Sequence, residues 1–288
     1  MAALSIRVPG KINLSLDVVG RRPDGYHLLS TIMQTVDVCD VLSIETVPAE
    51  EGIRLSSDRT DLPLDARNTA YRAAEAFRTA AGILDGLRIH IEKQIPVSAG
   101  MGGGSADAAG VLTGLDRLYP GRLDAASLAG IGASIGADVP FCLTGGTALC
   151  EGIGEYISPL PPFSDVPAIL VKPGFGVSTA WVFAHLDRDH LGVRPDNGRL
   201  IRAMAARDLR RMAAAAGNVL ESVTVSAYPL LAQIKRQLTE AGAGFAAMSG
   251  SGPTVFGLFD DEAKRDRAAE SLAEHLGDAA EVIATHTA

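Results

Sequence analysis

The order of elements along the 288-residue chain predicts an α+β protein in two lobes. Three observations predict it. Strand-like segments crowd the opening and helical ones dominate later. Two glycine-rich turns, at 100–105 and 249–252, interrupt that order. A stretch at 158–166 carrying three prolines reads as the best linker, because proline cannot join the middle of a sheet. The lobes are accordingly expected at 1–157 and 158–288.

Residues 4–9 read as a short strand, and 11–19 (KINLSLDVV) alternate well enough to form another. Arg21-Arg22-Pro23-Asp24-Gly25 is a turn cluster. Strands are expected next at 28–36 and 41–47, the second with Leu42, Ile44 and Thr46 on one face. The stretch 48–66 is rich in Pro, Asp, Glu and Ser and reads as exposed connection. Strong helix formers at 68–81 end at Gly82, a natural C-cap. Residues 87–95 alternate cleanly, placing Leu87, Ile89, Ile91, Lys93 and Ile95 on one face. Helices are expected at 106–118 and 124–135, and 137–140 is a turn into a short segment at 141–149. Beyond the linker, 167–172 and 281–286 are strand-like; 178–186, 200–216, 226–241 and 263–275 are helical.

Composition narrows the function. The chain is 47% hydrophobic and 21% charged, which is ordinary for a globular protein and excludes a disordered one. A net charge of −8 argues against a nucleic-acid partner, since neutralising phosphates takes a surplus of Lys and Arg. Cys39, Cys142 and Cys150 form no CxxC pair, which supplies neither a disulfide framework nor a zinc site and suits a reducing cytoplasm. No secretory leader and no apolar run long enough for a membrane span is found, so the expectation is a cytoplasmic protein with no membrane partner. Oligomeric state is not legible.

The informative segment is 96–106: Pro96, Val97, Ser98, Ala99, Gly100, Met101, Gly102, Gly103, Gly104, Ser105 and Ala106. Glycines between a strand and a helix let successive backbone N–H groups converge, and a helix start adds partial positive charge, so the segment can cradle an anion. Ser105 is expected where an N-cap or phosphate-binding hydroxyl would sit. No Lys follows Gly104, so this is not a P-loop, and Ser105 stands where a dinucleotide fingerprint needs its last glycine. A tight connection with no ligand is the competing reading of the run by itself.

Three separated segments raise the specificity: Pro9-Gly10-Lys11-Ile12-Asn13, the loop 96–106, and Ser249-Gly250-Ser251-Gly252. In this order, and over most of the chain, they resemble the superfamily of galactokinase, homoserine kinase, mevalonate kinase and phosphomevalonate kinase (GHMP kinases). The resemblance implies the two-lobed GHMP-kinase fold with the active site in the inter-lobe cleft, ATP on the glycine loop, and Mg²⁺ bridging phosphate oxygens. It also implies catalytic roles for Lys11 and Asp138. Lys11 would stabilise the transferring charge and Asp138 would accept the proton of the acceptor hydroxyl.

Pro23-Asp24-Gly25-Tyr26-His27 and Gly136-Ala137-Asp138-Val139-Pro140-Phe141 resemble the branch of that superfamily acting on a cytidine diphosphate-linked methylerythritol in non-mevalonate isoprenoid synthesis. On that resemblance the partner is a small molecule with a cytidine diphosphate moiety. Tyr26 stacks on its cytosine, His27 reads the base edge, Thr179 and Phe183 line the far wall, and Asn13 contacts the substrate. The competing readings are a helix cap for Asp138, core packing for Phe183, another GHMP kinase of homoserine or mevalonate type, and a nucleotide sensor without catalysis. Two departures stand out: Val97-Ser98-Ala99 is poorer in glycine than in many related enzymes, and Asp107 puts a negative charge just inside the helix that should face phosphate. Asp107 either points away, favouring the helix N-terminus, or lies near Mg²⁺; the metal ligands are not assigned.

Overall fold

A computed structural model of the chain describes residues 2–187 and 189–288. It opens with two paired strands, β1 (Ala3–Arg21) and β2 (His27–Val47). Each runs unbroken through what the sequence predicts as two. Next come β3 (Ile53–Ser57), α1 (Thr69–Ala81), β4 (Gly86–Glu92), α2 (Gly103–Leu118), α3 (Ala125–Ile135) and α4 (Val139–Thr144). They are followed by β5 (Thr147–Gly152), β6 (Tyr156–Pro159), β7 (Pro167–Pro173), α5 (Thr179–Ala184), α6 (Asn197–Ala205) and α7 (Leu209–Ala215). The chain ends in α8 (Glu221–Ala227), α9 (Leu230–Glu240), β8 (Phe245–Met248), β9 (Val255–Leu258), α10 (Glu262–Leu276) and β10 (Ala280–His286). Among the described residues no helix is long and apolar enough to cross a membrane.

These elements form two compact units from interleaved segments. The first takes the chain up to Gly10, Val38–Pro96 and Gly102–Gly145; the second takes Lys11–Asp37, Val97–Met101 and Gly146–Ala288. Neither coincides with a 1–157 or a 158–288 block, because β1 and β2 each contribute residues to both.

In the first unit, β2 pairs antiparallel with β4 from Val41↔Glu92 to Val47↔Gly86, and β3 lies parallel to β4. The alternation read from the sequence is realised: Leu42, Ile44, Leu87, Ile89 and Ile91 are buried on one face. Helix α1 buries Ala70, Ala73, Ala74 and Phe77 at helical spacing. Its ends are the expected ones: Asn68 accepts from the Ala70 N–H, and Gly82 closes the helix in the left-handed region. Helix α2 is buried along most of its length and packs against α1, α3 and α4. It lies close to the strands because glycine faces them: a Cβ on Gly110 would sit 2.3 Å from Val8 Cγ1, and one on Gly114 2.5 Å from Ile44 Cδ1. The turn expected at 137–140 is the start of α4, with proline in the first turn, where its missing N–H costs no hydrogen bond.

In the second unit, the first half of β2 pairs antiparallel with β5, and β6 adds to β5. A separate antiparallel sheet runs β10-β7-β9-β8, with α9 and α10 packed on it. Ile169, Val171, Leu231, Ile234 and Phe259 form the centre of a core that also takes in Leu16 and Val18 of β1. A backbone bridge fixes β1 there: Leu16 N donates to Gly217 O at 2.9 Å and Val219 N to Leu16 O at 3.0 Å. The helix expected at 200–216 is two, α6 and α7, because Arg207 adopts φ 49° between them. That expected at 226–241 is α8 and α9, divided before Pro229. Tyr156–Pro159, which overlaps the expected linker, is a strand paired to β5.

Gly110→Ala should test the close packing of α2. The added methyl meets a fully packed neighbour, so we expect a loss of about 1–3 kcal/mol in urea unfolding with an unchanged m-value. Unchanged stability would mean that α2 can move off the strands at no cost.

Candidate active site

The second unit brings the three sequence motifs together around one carbonyl. Lys11 is buried, and its Nζ donates to Asn13 Oδ1 at 2.7 Å and to Gly100 O at 3.1 Å. The same Gly100 oxygen accepts from Ser249 Oγ at 2.9 Å, and Ser249 Oγ accepts from the Asn13 N–H at 3.2 Å. Gly100 has φ 74°, and a Cβ there would lie 2.2 Å from Ser249 O, so only glycine fits. Gly250, at φ 56°, is also closely approached: a Cβ on it would stand 3.3 Å from Asn13 Oδ1 and 3.5 Å from Lys11 Nζ.

The segment 249–252 is braced from behind. Asn218 Nδ2 donates to Met248 O and Gly250 O at 2.9 and 2.8 Å, and Thr224 Oγ1 donates to Ser251 O at 3.1 Å. Asn13 is buried with both ends of its amide engaged, since Nδ2 donates to Thr31 Oγ1 at 2.8 Å. Asn218, Thr224 and Thr31 were not singled out from the sequence, because only the tertiary fold brings them to these motifs.

The residues expected around a cytosine also lie in the second unit. His27 and Phe183 stack, with ring centroids 5.0 Å apart and planes inclined by 22°. Both are half-buried, so packing and a ring-shaped ligand compete for the same faces. Tyr26 is 61% exposed at the end of the 21–25 turn, where its N–H donates to Asp24 Oδ1 at 3.2 Å. Thr179 is exposed, its hydroxyl 2.8 Å from Ser251 Oγ, which ties α5 to the third motif.

The rest of the glycine segment belongs to the first unit. Helix α2 begins earlier than expected, at Gly103, with Gly102 as its N-cap at φ 70°. Ser105 is therefore in the first helical turn instead of at the cap. Glycine at the cap offers no side-chain acceptor, so the first N–H groups of α2 are left for solvent or an anion. Thr69 Oγ1 donates to Gly104 O at 2.6 Å and steadies this turn from α1. Gly136, which opens the Asp138 motif, lies against Ser105: a Cβ on it would be 3.6 Å from Ser105 Oγ. Asp138 occupies the N-cap position of α4, where its carboxylate makes no capping hydrogen bond.

Beneath the start of α2 lies a charged cluster that sequence reading missed. Lys93 Nζ pairs with Asp40 and, at 2.8 Å, with Asp107 Oδ2. All three side chains are at most 5% exposed. Asp40 Oδ1 accepts from the Gln94 and Ile95 N–H groups at 2.7 and 2.8 Å, whereas Asp107 Oδ1 is buried without a hydrogen bond. Burial, opposed by Lys93 and reinforced by Asp40, pushes the Asp107 carboxyl up to about 7. Asp107 thus points into the protein rather than to solvent. The signal was in the alternation itself: a lysine on the inward face beside Ile91 and Ile95 demands a buried counter-charge.

Residues 68–146 match the GHMP kinase N-terminal domain and residues 200–278 the GHMP kinase C-terminal domain. The chain is 48% identical over 259 residues to a 4-diphosphocytidyl-2-C-methyl-D-erythritol kinase of Clostridium kluyveri, covering 90% of this chain and 92% of that protein. It is 44% identical over 269 residues to the like-named protein of Geobacillus kaustophilus, covering 93% and 92%. Among solved structures, a 4-(cytidine 5'-diphospho)-2C-methyl-D-erythritol kinase superposes with a TM-score of 0.83 at 35% identity over 99% of both chains. A homoserine kinase from Cytophaga hutchinsonii superposes at 0.79 with 18% identity, covering 100% of this chain and 95% of that one, and so shares the fold.

The charged cluster makes a pH prediction. Between the ordinary carboxyl value of 3.8 and about 7, the unfolded chain has released the Asp107 proton while the folded chain still holds it. The contribution of Asp107 to stability therefore falls as pH rises through this window and levels off above it. We expect Asp107→Asn to gain stability relative to wild type progressively across the window, read from urea midpoints at matched pH. A difference that does not vary with pH would show that Asp107 ionises normally in the fold.

Proposed function

Since the chain belongs to the 4-diphosphocytidyl-2-C-methyl-D-erythritol kinases of the GHMP kinase family, we propose that it moves the γ-phosphoryl group of ATP to the 2-hydroxyl of that cytidyl compound. The observation that carries the reading is the meeting of Lys11, Gly100 and Ser249–Gly250, three sequence-distant motifs, on one backbone carbonyl. The family domains support the proposed division of labour: the N-terminal match falls within 1–157, the ATP-binding part, and the C-terminal match within 158–288.

In this reading the backbone from Pro96 to Ala106 receives the triphosphate, the first turn of α2 offering its N–H groups. Mg²⁺ bound with the nucleotide would supply charge neutralisation on the phosphate oxygens. Such an ion keeps much of its water and needs no cage of three or more acidic side chains, and no such cage occurs among the described residues. Lys11, oriented by Asn13 and Gly100, stabilises the charge on the transferring group. Asp138 takes the proton of the 2-hydroxyl as its oxygen bonds to the γ-phosphorus and ADP leaves. His27, with Tyr26, Phe183 and Thr179, receives the cytidine end. The whole is a cytoplasmic, small-molecule reaction.

ADP release with the cytidyl substrate, homoserine and mevalonate as acceptors tests the assignment; turnover confined to homoserine or mevalonate would refute it. Asp138→Asn keeps shape but loses basicity, so kcat should fall by ~10²–10⁴ with an unchanged unfolding midpoint. Lys11→Ala should behave alike, and the double variant should lose less than the sum, because both residues serve one transition state. His27→Ala should weaken the cytidyl substrate by roughly 1–3 kcal/mol and leave the KM for ATP as it was. An unaltered substrate KM would remove His27 from the site.

A further inference from the structure

We propose that Asp107 is a positioning residue for the nucleotide's phosphates: through Lys93 and Asp40 it ties the first turn of α2 to the end of β4, holding the Gly103 and Gly104 amides in place. The inference rests on the kinase reading above, in which the start of α2 receives phosphate.

The geometry is a short chain of contacts. Asp107 reaches from the first turn-and-a-half of α2 to Lys93 Nζ at 2.8 Å. Lys93 pairs in turn with Asp40, and Asp40 clamps the Gln94 and Ile95 N–H groups. The tie runs directly under the glycines. A Cβ on Gly103 would lie 3.4 Å from Lys93 Nζ and 3.2 Å from Ile95 Cγ2. On the other side Thr69 holds the Gly104 carbonyl. The turn is thus pinned from two elements while Gly104 itself stays exposed.

Folding alone gains nothing from this arrangement. The cluster sets two carboxyl groups against one ammonium in a nearly inaccessible place, and Asp107 Oδ1 has no hydrogen-bond partner there. A second carboxyl with no counter-charge of its own and an unpaired buried oxygen both disfavour the folded state. Without Asp107, Lys93 and Asp40 would be a balanced pair. Alanine would suit the site, since α2 is already built from Ala106, Ala108 and Ala109 around it. The carboxylate is explained by where it holds the helix start, because amide donors displaced by even a fraction of an ångström lose their aim on a phosphate.

The test compares Asp107→Ala, Asp107→Asn and wild type by ATP titration, unfolding midpoint, and the KM values for ATP and for the cytidyl acceptor. The proposal expects Asp107→Ala to unfold at or above the wild-type midpoint and yet bind ATP roughly ten- to a hundredfold more weakly. KM for ATP should rise while that for the acceptor stays. Asp107→Asn, which still offers Lys93 an oxygen, should recover most of the affinity. Wild-type ATP affinity in Asp107→Ala overturns the proposal. So does a loss of stability in both variants in step with affinity, or an Asp107→Ala chain that does not fold, since the role is then structural. If wild type itself fails to bind ATP, the kinase reading falls, and the inference with it.

Discussion

At Gly100 two stretches of backbone come closer than any side chain allows. A Cβ there would lie 2.2 Å from the Ser249 carbonyl oxygen, and the φ of 74° is one that glycine alone adopts without strain. The close approach lets one carbonyl collect Lys11, 89 residues away in sequence, and Ser249, 149 residues away. Contacts so distant in the chain carry a large closure entropy, so they persist only where the surrounding fold holds both partners. The braces are visible: Asn218 holds the carbonyls of Met248 and Gly250, and Thr224 holds that of Ser251. The backbone bridge from Gly217 and Val219 to Leu16 then fixes Asn218 to β1, the strand that carries Lys11.

Much of the fold was legible because local signals and tertiary demands agree. Period-two alternation marked β4, and Asn68 and Gly82 marked the ends of α1. Where the reading failed, a local signal was overridden. Pro9-Gly10 reads as a break, but β1 runs through it: Gly10 keeps extended backbone with no left-handed φ, so it does not turn the chain. The division of α6 from α7 falls at Arg207, whose left-handed φ no sequence rule assigns to arginine. Strands β8 and β9 are four residues each, too short for alternation to register.

The site divided along the same line. Motif matching singles out Lys11, the glycines and Asp138 by residue type and order. It had no means of finding the braces, which are ordinary Asn and Thr side chains defined by their partners. Asp107 marks the boundary between the two. Its charge was conspicuous and its two readings, toward Mg²⁺ or away from the phosphates, were both framed on its own helix. The partners that decide its orientation, Lys93 and Asp40, come from the end of β4 and from β2.

Two buried lysines therefore serve opposite ends. For an acidic chain, the proposed uptake of an anionic nucleotide demands positive potential concentrated locally, and the two lysines differ in how they supply it. Lys93 is held between the carboxyl groups of Asp40 and Asp107 in its own unit, so its charge is matched locally, and what it contributes is rigidity. For Lys11, Asn13 Oδ1 and the Gly100 carbonyl fix the direction of the ammonium without adding charge of their own. Residue type alone does not separate the two lysines: Lys93 is tied to Asp40 and Asp107 within the first unit, whereas Lys11 reaches across the sequence to the Gly100 carbonyl.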